Sequence, residues 1–374
     1  MPSTQHPHRH APLQVALIGY GSAGRIFHAP LIAGVPGLLL ACIVTRQFEA
    51  VQRDWPAVPC VAAAGAALAD PAIDLVVIAT PNDSHFELAR AALQAGKHVV
   101  VDKPCTVTLT QTETLLDLAR QRGKVLTVFQ NRRLDSDFLS VQQVIQSGQL
   151  GRVVQVDSHF DRYRPMVPTR WREQNLPGSG LWLDLGPHLL DQALVLFGQP
   201  DALLLEQAEL RDSAHVNDWF HAVLRYGRPQ GSLRVILHAS TLVAEPGPRW
   251  VVHGTQGSFK KFGLDVQEDA LKAGQRPHLD ALHDWGQDPQ PGQLLHMENI
   301  PGVAVPVSVR TVAPQAGGNY LAYYAQLRDY LWGLAPQPGV TRAQVHAVMQ
   351  LLGLGEQSAA LGQFVALPTP VALR

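Results

Sequence analysis

Runs of apolar residues alternate with amphipathic stretches along the first third of the chain. Residues 15–18 form an unbroken apolar run, which is typical of a strand buried on both faces of a parallel sheet. Similar runs follow, and several of the stretches between them have helical spacing. This alternation predicts an α/β fold built on a doubly wound parallel sheet. The later predicted strands are 38–44, 57–62, 73–79, 98–101 and 125–129, and the predicted helices are 25–33, 87–95 and 108–122.

The pattern changes near residue 130, where we place a domain boundary. The segments that follow carry apolar residues at nearly every second position. That period predicts one large, mostly antiparallel sheet with a covered face and an open face. We therefore expect a disordered tail over 1–12, a parallel-sheet domain over 13–130 and a C-terminal α+β domain over 131–374. In the second domain, 135–146, 320–331 and 342–361 are predicted helices, 153–160, 203–210, 220–226, 232–237 and 250–253 are predicted strands, and 263–316 is expected to form extended surface loops.

Three glycines follow the first strand with the spacing G-x-G-x-x-G. Gly19 permits a tight turn, Gly21 lets a pyrophosphate approach the backbone, and Gly24 lets the next helix pack closely on the strand. Free N–H groups at the start of that helix, around Ser22 and Ala23, would then face the phosphates. An ordinary glycine-rich loop is the alternative. The position between a strand and a helix favours a dinucleotide site in a Rossmann domain.

The end of the second predicted strand bears on which dinucleotide is bound. A free ribose 2′-hydroxyl is usually met by an acidic residue about 20 residues after the glycines. Here the strand ends in Thr45 and Arg46, which can donate hydrogen bonds to a 2′-phosphate. We therefore expect NADP(H) in preference to NAD(H), with a solvated loop arginine as the alternative.

The loops after the fourth and fifth strands are expected to border the nicotinamide, since ligands bind beyond the carboxyl ends of parallel strands. Lys103, fixed by the proline after it, can favour the alkoxide form of a substrate hydroxyl; a solvated lysine is the alternative. Asn82 is equally suited to capping the next helix. The cofactor contacts expected in these loops are Thr80, Pro81, Asn82, His85, Asp102 and Lys103.

A second group of polar residues lies near residue 184. If a helix begins there, the spacing places Asp184, His188 and Asp191 along one stripe, with Pro187 tolerated in the first turn. A histidine flanked by carboxylates is suited to moving a proton on and off a hydroxyl. The alternative is that Asp184 caps the helix and His188 is a structural histidine.

Polar and aromatic residues near the predicted strand ends of the second domain form a third group. Asn131, Arg133, Tyr163 and Trp171 could line a pocket for a polyhydroxylated ligand, together with the arginines beside them, which are Arg132, Arg162, Arg164 and Arg172. Some residues of this group must instead lie on the surface.

Composition narrows the choice of partners. The 374 residues include 30 Lys and Arg against 31 Asp and Glu, and no long basic run favours nucleic acid or an anionic membrane. Three cysteines without C-x-x-C spacing support neither a disulfide framework nor a zinc cluster, so a reducing cytoplasm is expected. No metal site is expected, since His6, His8 and His10 of the tail have nothing to orient them. No apolar run approaches the ~20 residues of a membrane span.

The glycine loop, the run Asp102-Lys103-Pro104 and the spacing from Asp184 to His188 resemble the Gfo/Idh/MocA oxidoreductases. Asp102 stands where the family more often has glutamate. Residues 103–109, 131–138 and 180–192 resemble the branch that contains bacterial scyllo-inositol dehydrogenases. This resemblance implies reversible oxidation of a secondary alcohol on a cyclic polyol.

Under the same resemblance, His188 would be the general base and Asp184 would orient the polyol and the imidazole. Lys103 would stabilise negative charge on the reacting oxygen, and Asp191 would lie within reach of His188. The alternatives are an aldose or anhydro-sugar dehydrogenase of the same family and a nonenzymatic NADP-binding sensor. We also expect the open sheet face to expose a broad apolar surface and to form a homodimer or homotetramer.

Overall fold

The computed structural model describes residues 11–300, 303–312 and 317–368. Its first sheet has six parallel strands in the order β3-β2-β1-β4-β5-β6, which confirms the doubly wound prediction. The central strands are fully buried because helices cover both faces. The strands are β1 (Leu13–Ile18), β2 (Leu38–Val44), β3 (Cys60–Val61), β4 (Leu75–Ile78), β5 (His98–Val101) and β6 (Leu126–Val128). The helices between them are α1 (Ala29–Ala33), α2 (Phe48–Asp54), α3 (Ala64–Ala69), α4 (His85–Gln94) and α5 (Leu109–Gln121), and a π-helical turn (Gly24–His28) precedes α1.

The second sheet has nine strands and is mixed, since β10 pairs parallel with β7 while the other neighbours pair antiparallel. Its order is β14-β13-β12-β11-β7-β10-β9-β8-β15. The strands are β7 (Val153–Asp161), β8 (Ala202–Ala208), β9 (Trp219–Tyr226), β10 (Leu233–Ser240), β11 (Trp250–Gly254), β12 (Gly257–Lys261), β13 (Gly292–Ile300), β14 (Val303–Val312) and β15 (Val365–Ala366). The helices are α6 (Ser136–Gln146), α7 (Leu181–Phe197), α8 (Gln267–Lys272), α9 (Leu321–Leu331) and α10 (Arg342–Leu361).

Helix α7 lies on the covered face of the second sheet, and α10 packs against both α7 and the first domain. Contacts of α10 with α5 and β6 join the two sheets through one long helix. The helix begins with a capping box in which Thr341 and Gln344 each satisfy the other's backbone N–H group. No described helix is long and apolar enough to cross a membrane.

The structure corrects the expectation of surface loops over 263–316. This segment contains helix α8 and the hairpin of β13 and β14, which extends the second sheet beyond β12. Valines do alternate along β14 from Val303 to Val309, but Pro306 interrupts them and the segment as a whole is rich in Gly, Pro, Gln and Asp, which led to the expectation of loops. Residues 301–302 and 313–316, like 1–10 of the predicted tail, lie outside the described residues.

Two further expectations differ from the structure. Helix α7 begins at Leu181, so Pro187 lies in its second turn and not in its first. The open face of the second sheet carries a mixture of polar, charged and aromatic side chains, where the sequence predicts a broad apolar surface. Residues on this face include Gln155, Asp157, His159, Trp219, His221, Val223, Arg225, Arg234, Ile236 and His238.

Candidate active site

The glycine loop has the shape that a dinucleotide pyrophosphate requires. Gly19 has φ +101°, and a Cβ there would lie 2.5 Å from the carbonyl oxygen of Ala79. A Cβ on Gly24 would collide with the backbone of Gly19. A Cβ on Gly21 would meet no described atom within 4 Å, so this glycine faces open space. The first and third glycines therefore allow close packing, and the second leaves room for a ligand at the helix start.

Two connected cavities extend from this loop. One, of about 440 Å³, is lined by Gly21, Ser22 and Ala23 and runs towards helix α7. The other, of about 520 Å³, shares Gly21 and Ser22 and runs past Gln47 and Trp55. An extended dinucleotide needs two such compartments on either side of its pyrophosphate, and these residues fit that group.

Thr45 and Arg46 lie at the carboxyl end of β2, beside the second cavity but not in its lining. The Thr45 hydroxyl accepts a hydrogen bond from the backbone N–H of Gln47. The Arg46 side chain is exposed, and no described residue forms an ion pair with it.

The loops after β4 and β5 divide into residues that face the first cavity and residues that brace the loops. Thr80, Pro81, Asp102 and Lys103 line the cavity. His85 does not: its two ring nitrogens lie 2.9 Å and 3.0 Å from the carbonyl oxygens of Pro104 and Thr80. His85 thus ties one loop to the other, and burial lowers its pKa.

Asn82 neither lines the first cavity nor caps a helix. Its side-chain amide donates a 2.9 Å hydrogen bond to the carbonyl of Gly178, in the segment that precedes α7. Helix α4 begins at His85 without a side-chain cap. Asn82 therefore connects the first domain to the second, a role that its position in the sequence did not indicate.

Lys103 and Asp184 form the central ion pair of the first cavity. The Lys103 ammonium donates hydrogen bonds of 2.7 Å to Asp184 Oδ1 and 2.5 Å to the Asp184 carbonyl oxygen. Arg172 Nε lies 3.7 Å from the same carboxylate oxygen. Burial would raise the pKa of Asp184, but Lys103 and Arg172 together hold it well below its usual value. Burial lowers the pKa of Lys103, and Asp184 opposes that shift.

His188 lines the same cavity one turn of α7 after Asp184. It is 6% exposed, and its Nδ1 has no hydrogen-bond partner among the described residues. Burial and the charges of Lys103 and Arg132 hold its pKa well below the usual value. The imidazole is therefore neutral at physiological pH and can accept a proton.

Asp191 lies on the same helix and is bound by an arginine. Its two carboxylate oxygens accept hydrogen bonds of 2.6 Å from Arg133. Arg133 also donates to the carbonyl of Gly339 and to Gln344. The structure therefore places Arg133 outside the cavity, contrary to its predicted contact with substrate, and gives Asp191 a partner other than His188.

The second domain contributes an arginine-rich wall to the first cavity. Asn131 and Trp171 line it, but Tyr163 is 59% exposed and lies outside. Its neighbours Arg162 and Arg164 face the cavity, because successive side chains of an extended segment point to opposite sides. This two-residue alternation is the sequence signal that could have shown that the arginines, and not the tyrosine between them, face the cavity.

Arg162 stands out within this wall. It forms no ion pair with a described carboxylate, and burial, Arg164 and Arg132 lower its pKa to about 10. Arg132, by contrast, pairs with Asp135 at 3.2 Å and with Glu268 at 2.5 Å. The wall thus offers uncompensated positive charge to a bound molecule. The titratable cavity residues that the sequence did not single out as candidates are His28, Arg170, Glu268 and Lys272.

A dinucleotide-binding parallel sheet, a second sheet and a cavity between them define an NAD(P)-binding oxidoreductase. Comparison with protein families agrees: residues 13–130 match the NAD-binding Rossmann fold of the oxidoreductase family, and residues 142–367 match its C-terminal α/β domain. The chain therefore belongs to the Gfo/Idh/MocA oxidoreductase family, which confirms the resemblance seen in the sequence.

Similar proteins cover nearly the whole chain. The uncharacterized oxidoreductase YdgJ of Escherichia coli is 51% identical over 93% of this chain and 96% of its own length. The scyllo-inositol 2-dehydrogenase (NADP(+)) IolW of Bacillus subtilis is 38% identical over 85% of this chain and 86% of its own. The structure of YPO2259 from Yersinia pestis has 47% identity and a TM-score of 0.89, covering 96% of this chain and 99% of that one.

Proposed function

We propose that this protein interconverts a secondary alcohol of a cyclic polyol and the corresponding ketone, with NADP(H) as the preferred cofactor and NAD(H) as the alternative. The first substrate to test is scyllo-inositol, since the IolW relative acts on it. The observation that carries the proposal is the cluster of Lys103, Asp184 and His188 in a cavity that begins at the glycine loop.

The cofactor would lie along the two connected cavities. The backbone of Gly19, Gly21 and Gly24 and the N–H groups of Ser22 and Ala23 would hold the pyrophosphate. Bound there, a nicotinamide dinucleotide supplies the acceptor for the hydrogen of the carbinol carbon. Near the ring, Thr80, Pro81 and Asp102 are available for contact, and Asp102 also accepts a hydrogen bond from the Lys103 backbone.

Each of the three cavity residues has a separate role in the oxidation of the alcohol. His188, neutral and in the lining of the cavity, takes the proton from the reacting hydroxyl. Lys103 donates to the oxygen as its negative charge develops, which lowers the energy of the alkoxide. Asp184 fixes the Lys103 ammonium and can accept a hydrogen bond from a neighbouring substrate hydroxyl. In the reverse direction, His188 returns the proton to the oxygen.

The arginine wall adds a second candidate substrate class. Because Arg162 lacks a carboxylate partner, a polyol or sugar that carries a carboxylate would compensate its charge.

A substrate panel separates the candidates: scyllo-inositol, myo-inositol, glucose and glucuronate, each with NADP and with NAD, followed by the absorbance of the reduced nicotinamide. Turnover of an inositol supports the proposal. Cofactor binding without turnover of any member would contradict it.

The cofactor preference has its own test in Arg46→Ala. Loss of the exposed guanidinium at the end of β2 should weaken NADP binding roughly tenfold and leave NAD binding unchanged, because only NADP carries the 2′-phosphate. Arg53→Ala is the matched control, since Arg53 is an exposed arginine of the same domain that pairs with Asp54. Equal weakening of both cofactors in Arg46→Ala would exclude a 2′-phosphate contact.

We also propose that the open face of the second sheet forms a homodimer or homotetramer. Trp219, Val223 and Ile236 supply apolar contact area among the polar side chains of this face. Light scattering should report more than one chain per particle at micromolar concentration, and a monomer would contradict the proposal.

A further inference from the structure

Three potential metal ligands meet on the open face of the second sheet. His159 and Asp161 are two residues apart on β7, so their side chains project from the same face. His238 lies on β10, where the parallel register pairs it with His159. None of the three lines the catalytic cavity. Because α7 packs on the other side of β10, this cluster is separate from Lys103 and its partners.

The distances within the cluster suit a tetrahedral ion. His159 Nδ1 lies 3.3 Å from Asp161 Oδ2, and His238 Nε2 lies 3.5 Å from Asp161 Oδ1. One ligand atom from each residue falls within 4.8 Å of the other two. Nitrogen and oxygen ligands at 2.0–2.2 Å from zinc are about 3.3 Å apart in a tetrahedral site. A small inward rotation of the side chains would therefore complete the coordination.

Burial of the carboxylate leaves a charge to be compensated. The Asp161 side chain is 7% exposed, and its Oδ1 has no hydrogen-bond partner among the described residues. No lysine or arginine of the described chain forms an ion pair with it, and its two ion-pair partners are His159 and His238. A buried carboxylate oxygen without a donor is unfavourable, and a divalent cation between the two histidines would remove that cost.

The cluster can be reached in the single chain, where the His159 side chain is 35% exposed. It lies on the sheet face through which we propose that copies of the chain associate. An ion bound by these residues would therefore lie at the contact between copies.

We propose that His159, Asp161 and His238 bind a borderline divalent cation, Zn²⁺ being the expected ion, with water in the fourth position. The ion would cross-link β7 and β10 on the face away from the catalytic helix. The sequence does not indicate this site, because His238 is remote from the other two ligands along the chain and only the parallel pairing brings it beside them.

The test uses the full-length chain with His6, His8 and His10 replaced by Gln, which removes a second histidine-rich segment that could bind metal. After treatment with a chelator, Co²⁺ is titrated and followed by visible absorption, and Zn²⁺ is titrated by calorimetry. We expect one ion per chain, a Co²⁺ spectrum of four-coordinate type and a Zn²⁺-dependent rise in Tm. In this background, Asp161→Asn and His238→Gln should weaken Zn²⁺ binding roughly tenfold or more.

The matched control is His253→Gln in the same background, since His253 is a histidine of the same sheet face that contacts Ser258 and lies outside the cluster. It should bind Zn²⁺ as the background does. The proposal fails if the background chain binds no stoichiometric ion, or if Asp161→Asn and His238→Gln bind it unchanged. If circular dichroism shows either variant to be unfolded, His159→Gln, at the most exposed of the three ligands, gives the same decision.

Discussion

Helix α7 carries the same type of ion pair at two positions with different surroundings. At the end that faces the cavity, Asp184 pairs with Lys103 at 2.7 Å, and its side chain is 23% exposed. Two turns further along, in the middle of the helix, Asp191 pairs with Arg133 at 2.6 Å, and its side chain is 2% exposed. Burial raises the pKa of Asp191, whereas Lys103 and Arg172 hold that of Asp184 low despite its burial. The position of an aspartate along the helix, and not its residue type, therefore decides whether its carboxylate can contact a substrate.

His188→Gln should have the largest effect on turnover, since it removes the proposed base from the cavity end. We expect kcat/KM for alcohol oxidation to fall roughly 10²- to 10⁴-fold, with cofactor affinity retained. Steady-state kinetics and fluorescence titration of the cofactor measure the two quantities. His346→Gln is a control, because His346 contacts Glu113 outside the cavity. A His188→Gln variant with nearly full activity would remove this histidine from the chemistry.

Lys103→Met should follow, with kcat reduced roughly 10²- to 10³-fold, because the developing oxyanion loses its cationic donor. Lys97→Met is a matched control. Lys97 is a buried lysine of the same domain that donates to the carbonyl of Asp70, so its loss should affect stability and not turnover. Equal losses of kcat in the two variants would show that Lys103 acts only through folding.

Asp191→Asn should distinguish the two ion pairs of the helix most clearly. Arg133 would lose its ionised partner while buried, so we expect the free energy of unfolding to fall by about 3 kcal/mol. The expected fall in kcat is less than about tenfold, since Asp191 does not touch the cavity. Urea denaturation and steady-state kinetics test both parts. A large loss of kcat at unchanged stability would place Asp191 in the reaction.

The smallest effect is expected from pH, through the protonation of His188, on kcat/KM. Burial, Lys103 and Arg132 lower the pKa of His188, so the imidazole stays neutral as the pH falls through about 6.5. The pH profile of kcat/KM for alcohol oxidation should therefore show no loss from His188 between about pH 8 and pH 6. Because the unfolded state binds this proton more readily, the same shift lowers stability as the pH falls below about 6.5. An acid limb near 6.5 that His188→Gln abolishes would contradict the assignment.

Local features of the fold were predictable because their signal lies within a few neighbouring residues. The apolar runs of β1 and β4 and the spacing of Gly19, Gly21 and Gly24 indicated a parallel sheet with a dinucleotide loop, and both the fold class and the family are confirmed. The hairpin of β13 and β14 was missed because Pro306 and the Gly, Pro, Gln and Asp content of the segment outweighed the alternating valines of β14.

The candidate site was only partly predictable. The sequence selected Lys103, Asp184 and His188, and the fold brings them into one cavity. It also grouped Arg133 and Tyr163 with that pocket. In the structure, Arg133 forms a buried ion pair with Asp191, and Tyr163 is exposed to solvent. Composition and spacing indicate that such residues lie near strand ends, but they do not reveal which way a side chain points.

By itself the sequence determined the parallel sheet, the glycine loop and the residue types available for proton transfer, because periodicity and turn chemistry are properties of short segments. The tertiary structure alone decided that Asp184 faces Lys103 while Asp191 faces Arg133, and that His238 lies beside His159. Each of these contacts joins residues far apart in the chain, so its geometry exists only after the two sheets and α7 have packed.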